Sequence, residues 1–345
     1  MTKKNIRLSD IAEKLNVSTV TISKALRDHP DISPKTKKLV HTVAAEMGYT
    51  PNFMARNLSS RKTNTIGVVV PKIAHFFFGS IIEEIYDIAF EHNYEIILTV
   101  SQEKESRERK HIQTLLSMKV DGIIVSLSQE TKDYSIFETV ISRGVPIVFI
   151  DRIPQMENID KVFVDDRGGA FKAIEQAIKL GYKKIAHFAG YTQVNIGQQR
   201  YLGFEDAMKK YNVPINKDWI IHGGFGETYG YESFMKLYRE NNLPEIIFTV
   251  TYPVALGIYK AVSEVNMQIP NDIDVICFGD AKIQKFLSPP LSCVTQPTNL
   301  MAEKALDILF HKIDNPDEKD KSVEVEIPTS LLLRGTCVNY SKKQL

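Results

Sequence analysis

The chain has 345 residues, 43% of them hydrophobic and 25% charged, with a formal net charge of +1. That length carries more than one buried core, and the composition excludes a disordered or fibrous chain. The small net charge conceals an asymmetry: residues 1–62 hold 12 Lys and Arg against 5 Asp and Glu, so a head of +7 precedes a remainder of −6.

A basic head on a mildly acidic body suits phosphate contact at one end only, although an ordinary solvated basic surface explains the charge equally well. The opening MTKKNIRLSD has no apolar stretch ahead of a cleavage site, and no run reaches transmembrane length. An intracellular, cytoplasmic protein without membrane contact is expected. Cys277, Cys293 and Cys337 are odd in number and show no metal-ligand spacing, so they read as reduced structural residues.

Residues 9–27, SDIAEKLNVSTVTISKALR, read as two short helices joined by a tight turn. Ser9 can cap a helix to about Leu15, Asn16–Val17 make the turn, and Ser18 can cap a second helix from Thr19 to about Leu26. Val20, Ile22 and Ala25 are available to a core. Ser33–Pro34 starts a third helix, in which Leu39, Val40, Val43, Ala44 and Met47 recur at helical spacing before Gly48 ends it. Three short helices on a small apolar centre make an all-α helix-turn-helix head.

In such a head the second helix turns its N-terminal residues toward base edges in the major groove of double-stranded DNA. Thr19, Val20 and Lys24 are the base-contact candidates. Lys24 can donate to guanine O6 or N7, and Val20 or the Thr19 methyl can pack on thymine. Ser18, Thr21 and Ser23 suit phosphate or base-edge contact. For any single hydroxyl, simple capping and solvation is the competing reading. A further short helix is expected over Pro51–Leu58, capped by Asn52. Two turns are marginal alone, so DNA or a dimer copy must order it. Leu58 is then a candidate minor-groove wedge with Arg56 nearby, or else a linker residue packed on protein.

After Lys62 apolar strands alternate with amphipathic helices. Strands are expected at Thr65–Val70, Tyr94–Val100, Asp121–Leu127 and Val145–Ile150, with helices at Phe78–His92, Ser106–Met118 and Ile136–Ser142 between them. A second round starts near Val162. It comprises helices Ala170–Leu180, Tyr201–Tyr211, Gly230–Glu240 and Pro253–Val265, and strands Lys184–Ala189, Trp219–His222, Ile246–Val250 and Asp274–Phe278. This alternation predicts two α/β lobes with parallel sheets and a cleft between them. The stretch LSCVTQP and a helix at Asn299–Ile313 return to the first lobe, and Val323–Leu333 is strand-like. The expected division is 1–50 for the head, 51–62 for a hinge helix and linker, and 63–340 for the body. Lobe 1 covers about 63–162 and 294–322, and lobe 2 about 163–293 and 323–340. Repeated crossing makes a hinge.

Ligands in such sheets favour loops at strand ends. The candidates there are His75, Phe77, Asp151, Arg152, Arg200, Tyr252 and Asp280. Aromatic faces with Asp and Arg suit a small sugar-like polyol. Phe77 and Phe78 are also readable as core, and Arg200 as the solvent-facing start of the next helix. Gly223–Gly226 lacks P-loop and dinucleotide spacing and reads as a strand-to-loop turn. The histidines form no compact metal motif and no nucleophile elbow is present, so no metal, no cofactor and no enzymatic activity is expected.

DIAEKLNVSTVTISKAL, GYTPNFMARNL and TIGVVVPKIAHFFFG, followed in order by DGIIV, IDR, QRYLGF, IPNDIDVICFGD and TQP, resemble the lac repressor / galactose repressor family of bacterial transcriptional regulators from about Ile6 to Arg334. The resemblance implies a homodimer on pseudo-palindromic operators and a body like a periplasmic sugar-binding protein. It places Thr19 and Val20 at the variable reading positions, Lys24 at a usually basic one, Arg56 at a variable hinge position, and Leu58 at the wedge. Asp151, Arg152 and Arg200 keep the family's character. Three sites depart from it: His75–Phe76 stands where Asn–Pro is common, Thr251–Tyr252 where Asn–Asp is common, and Cys277–Phe278–Gly279–Asp280 where Gly–Phe–Asp–Asp is common. Two acidic sugar contacts are thereby in doubt, leaving open a charged, bulkier or aromatic-stacked effector, or a cleft without monosaccharide recognition. The implied mechanism is a shift in lobe closure, whose sign sets inducer or corepressor. A sugar-binding module with an incidental head and a sugar-modifying enzyme are the competing classes. Deleting residues 1–60, or assaying sugar turnover, separates them.

Overall fold

The computed structural model describes residues 6–26, 28–49, 62–74, 76–318 and 321–338. The helix expected over Pro51–Leu58, with Asn52, Arg56 and Leu58, lies outside the described residues, as does His75. The chain divides into two units, 1–63 and 64–345.

The head contains α1 (Leu8–Leu15), α2 (Thr19–Ala25) and α3 (Pro34–Met47). Its core is Ile11, Ala12, Ile22, Ala25, Val40, Val43 and Ala44. The caps follow from side-chain chemistry. Ser18 Oγ accepts from Thr21 N at 3.1 Å and Ser33 Oγ from Thr36 N at 3.2 Å. Gly48 ends α3 at φ 70°, a conformation that glycine adopts without a Cβ clash. Three expectations need correction. The first helix starts one residue before Ser9, with Asp10 accepting from Arg7 N at 2.7 Å. Val20 and Leu39 face solvent rather than the core, because Ile22, Ala25 and Val40 already fill the small interior.

The body holds two six-stranded sheets. The first has the order β11-β5-β4-β3-β1-β2 and is parallel throughout. Its strands are β1 (Thr65–Val70), β2 (Glu95–Val100), β3 (Gly122–Val125), β4 (Ile147–Ile150), β5 (Asp160–Val164) and β11 (Glu324–Ile327). The second sheet has the order β12-β10-β9-β8-β6-β7, with only β12 antiparallel to its neighbour. It comprises β6 (Ile185–Gly190), β7 (Ile220–His222), β8 (Ile246–Thr249), β9 (Asp274–Phe278), β10 (Ser292–Thr295) and β12 (Ser330–Leu332). Fully buried runs such as TIGVVV in β1 reflect helices on both faces.

Helices α4 (Phe76–Glu91), α5 (Glu105–Ser117), α6 (Ser135–Ser142) and α11 (Thr298–Asp314) cover the first sheet. The second is covered by α7 (Asp166–Lys179), α8 (Asn195–Lys210), α9 (Glu227–Arg239) and α10 (Tyr252–Glu264). The close approach of α9 and α10 depends on two glycines. A Cβ on Gly230 would meet Val254 O at 2.0 Å, and one on Gly257 would meet Glu227 O at 2.0 Å.

The lobe boundaries differ from expectation at the C-terminal end. Strand β10 belongs wholly to the second sheet, and the stretch 323–333 splits into β11 in the first sheet and β12 in the second. Pro328, which has no N–H for a ladder, separates the two. The chain therefore passes between lobes after β5, after β10 and after β11. Two of these passages are stitched together: Asp165 N donates to Ile327 O at 2.9 Å, and Thr329 Oγ1 donates to Asp165 O at 3.3 Å.

Candidate functional site

On the head, Ser18, Thr19 and Val20 form an exposed N-terminal turn of α2, with Val20 62% exposed. Val20 therefore lies outside the core of the head. Ser18 and Thr21 share a hydroxyl contact at 2.9 Å. Their oxygens therefore serve the cap. Lys24, one turn on, is paired with Asp31 at 2.8 Å.

On the body, a cavity of about 40 Å³ opens between the lobes at the C-terminal ends of the strands. The first lobe contributes Phe77, Phe78, Asp151 and Arg152; the second contributes Arg200, Phe225, Thr251, Tyr252 and Phe278. Gln296 enters from the passage after β10. Phe77, Asp151, Arg152, Arg200 and Tyr252 are thus brought together. Asp280 is not in this lining: Arg334 Nη2 donates to both its carboxylate oxygens, at 2.9 and 3.1 Å.

Each guanidinium in the cleft is neutralised locally. Arg152 Nη1 donates to Glu103 Oε2 at 2.7 Å, both side chains being buried, and its plane lies 4.8 Å from the Phe225 ring centre. Arg200 is on α8 rather than in the expected loop or in solvent. Its Nε and Nη2 donate to Asp166 Oδ1 at 2.8 and 2.7 Å, and its Nη1 donates to Val250 O at 2.6 Å. It also stacks on Phe278, 3.7 Å from the ring centre. Of the donors on these two guanidiniums, the buried Arg152 Nε has no hydrogen-bond partner among the described residues; Ser101 Oγ, Ser126 Oγ and His187 Nε2 share that state elsewhere in the body. An orphan of this kind beside a cavity can be satisfied by a ligand or by water.

Asp151 is buried at φ 59°. Its strained backbone is held from both sides, as its N–H donates to Val162 O at 3.1 Å and its carbonyl accepts from Asn195 Nδ2 at 2.9 Å. Burial pushes its carboxyl up, against the lowering effects of Arg200, Arg152 and the Gln296 amide.

Contacts across the cleft bridge the lobes. Phe76 N donates to Tyr252 Oη at 2.9 Å, Ile153 N donates to Asn195 Oδ1 at 3.1 Å, the same Asn195 donates through Nδ2 to Asp151 O, and Arg152 stacks on Phe225. Tyr252 therefore joins the lobes through its oxygen as well as lining the cavity. The sequence reading missed Glu103, Asp166, Asn195, Phe225 and Gln296 as site residues. Only Gln296 carried a signal, as part of the TQP motif.

Comparison with known proteins bears on both units. Residues 7–52 match the family model described as bacterial regulatory proteins, lacI family, and residues 174–337 match a periplasmic binding protein-like domain. The catabolite control protein A of Priestia megaterium is 30% identical over 331 residues, covering 96% of this chain and 98% of that protein. The chain belongs to the lacI family. It is a sequence-specific DNA-binding transcriptional regulator with a two-lobed body.

Among other family members, the transcriptional repressor PurR of Histophilus somni strain 2336 is 30% identical over 328 residues, covering 95% of this chain and 97% of that protein. The lac repressor dimer bound to operator and the anti-inducer ONPF shares the fold at a TM-score of 0.84 and 23% identity, covering 97% of this chain and all of that one. A regulator from Enterococcus faecium with bound ribose matches at a TM-score of 0.70 and 25% identity, covering 80% of this chain and 99% of that chain. Among the described residues, no group of three or more His, Cys, Asp or Glu is placed to hold a metal ion. No helix among them is long and apolar enough to cross a membrane.

Proposed function

We propose that this regulator is a repressor that binds its operator as a homodimer and responds to a small, uncharged, polyol-like effector held between the lobes. The observation that carries the effector reading is the unused Arg152 Nε in a cleft whose guanidiniums are otherwise paired. A hydroxyl or ring oxygen satisfies that donor without a counter-charge, and the Phe77, Phe225 and Tyr252 rings offer apolar walls for a sugar ring. A phosphate finds no unpaired cation among the described lining residues. Relatives named as transcriptional repressors and a ribose-bound family member support the same reading.

On the head, Thr19, Val20 and Lys24 read base edges, with Ser18, Thr21 and Ser23 at the sugar-phosphate backbone. Asn52 and Arg56 assist in the hinge and Leu58 acts as the minor-groove wedge. Exposed Tyr86 and Phe90 on the first lobe and exposed Ile283 and Phe286 on the second supply apolar surface for a second copy. Effector binding shifts the population of closed bodies and so the grip of the paired heads.

The test combines a thermal-shift screen of neutral monosaccharides and their phosphate esters with operator titration by fluorescence anisotropy. A neutral sugar that raises the melting temperature and changes operator affinity, while its phosphate ester does not, is expected. Stronger binding of the phosphate ester would overturn the uncharged reading. Operator affinity that falls steeply with salt and drops in Leu58→Ala is expected for the head.

A further inference from the structure

On the DNA-binding head the carboxylate of Asp31 is paired with Lys24. It lies on the turn after α2, and that turn is fastened on several sides. His29 N donates to Lys24 O at 3.0 Å, Ile32 N donates to His29 O at 3.1 Å, and Asp31 N donates to His29 Nδ1 at 3.3 Å. Lys37 Nζ, from α3, donates to Asp28 O at 2.7 Å. From this fixed point Asp31 Oδ2 accepts from Lys24 Nζ at 2.8 Å.

Fold stability gives this pair little reason to exist. Both side chains are well exposed, and ion pairs in water contribute about 0–1 kcal/mol. For general DNA affinity the acid is a liability, since it cancels one positive charge on a head that must approach phosphates. A lysine ammonium rides on a flexible four-carbon stem, so a fixed partner narrows which acceptor it reaches. The Lys24 hydrogen bond holds the Asp31 carboxyl below its ordinary range, so the acid stays ionised and keeps its hold at neutral pH.

We propose that Asp31 is a specificity-determining residue, which positions the Lys24 ammonium for one base edge and penalises binding to unrelated duplex. The proposal rests on the reading that places Lys24 at a base edge. It exchanges affinity for discrimination, as repulsive elements at specific interfaces do.

The experiment uses the full-length protein and a randomised duplex pool. It compares wild type with Asp31→Asn, Asp31→Glu, Lys24→Ala and the control Glu13→Gln, which removes an exposed acid on α1. Recovered sequences give the base preference at each position, and anisotropy against an unrelated duplex gives the background affinity. Asp31→Asn is expected to bind unrelated duplex about fivefold more tightly, the value of one charge at physiological salt. It should also lower discrimination by about fivefold at one base pair of each half-site, the pair that Lys24→Ala relaxes. Asp31→Glu should keep the preference, and Glu13→Gln should gain background affinity without relaxing any position.

An unchanged preference in Asp31→Asn, or the same relaxation in Glu13→Gln, would overturn the positioning role. An unchanged preference in Lys24→Ala would overturn the base-reading assignment and the positioning role with it.

Discussion

Tyr252→Phe removes a single oxygen and leaves the ring that walls the cleft. That oxygen is the acceptor for the Phe76 amide at 2.9 Å, in a bond between lobes. One such hydrogen bond has a net value of about 1 kcal/mol. The ratio of closed to open bodies should therefore fall about fivefold. Hydrogen exchange can read the change, provided that the right amide is followed. Phe76 itself will exchange faster for the trivial reason that its acceptor is gone. The informative amide is Ile153, bonded to Asn195 at 3.1 Å and untouched by the substitution. If the lobes part in one concerted event, Ile153 should exchange about fivefold faster in the variant. Faster exchange at Phe76 with an unchanged rate at Ile153 would refute the view that the bridging contacts break together.

Glu103→Gln leaves the Arg152 guanidinium buried without its counter-charge and should cost about 3 kcal/mol in urea denaturation; a loss below about 1 kcal/mol would mean that the pair is not a buried charge pair in solution. Gly257→Ala places a methyl 2.0 Å from Glu227 O, so α9 and α10 must separate. A cost of about 2–3 kcal/mol is expected, and an unchanged melting temperature would contradict that packing. Burial pushes the Glu108 carboxyl up from its ordinary 4.5 to about 7, so over that range the folded chain holds a proton that the unfolded chain has released. Stability should then fall as pH rises from 4.5 to about 7, by about 3 kcal/mol at most, and level off above. Glu108→Gln should reduce that slope, to which the buried Asp166 also contributes with a carboxyl pushed up to about 7; equal slopes in the two proteins would exclude Glu108 as a source.

Much of the architecture is legible because its signals are local. Apolar runs mark the strands, while Ser18, Ser33–Pro34 and Gly48 punctuate the head through caps that need only neighbouring atoms. The start of α8 was missed for the opposite reason. Its first turn, NIGQQ, is polar enough to read as a loop, and only the buried Asp166 shows why Arg200 turns inward. Asp280 was misread because its partner, Arg334, is remote in sequence and nothing near it announces the pairing. Glu103 sits in a charged stretch, SQEKESRERK, that looks like a solvated helix start. Its role appears only when the fold sets it against Arg152. Val20 left two readings open in the sequence, and the burial of Ile22 and Ala25 excludes the core reading.

The nine residues from Glu324 to Leu332 supply an edge strand to each sheet, β11 beside β5 and β12 beside β10. A frameshift or stop codon just before them would leave most of the apolar core in place yet strip a border from both lobes at once, baring two rows of unpaired backbone groups. Exposed borders of that kind recruit other chains. Loss of this short tail should therefore send the protein into inclusion bodies rather than yield a soluble, unresponsive regulator. No contiguous fragment of the gene encodes one complete lobe and nothing of the other.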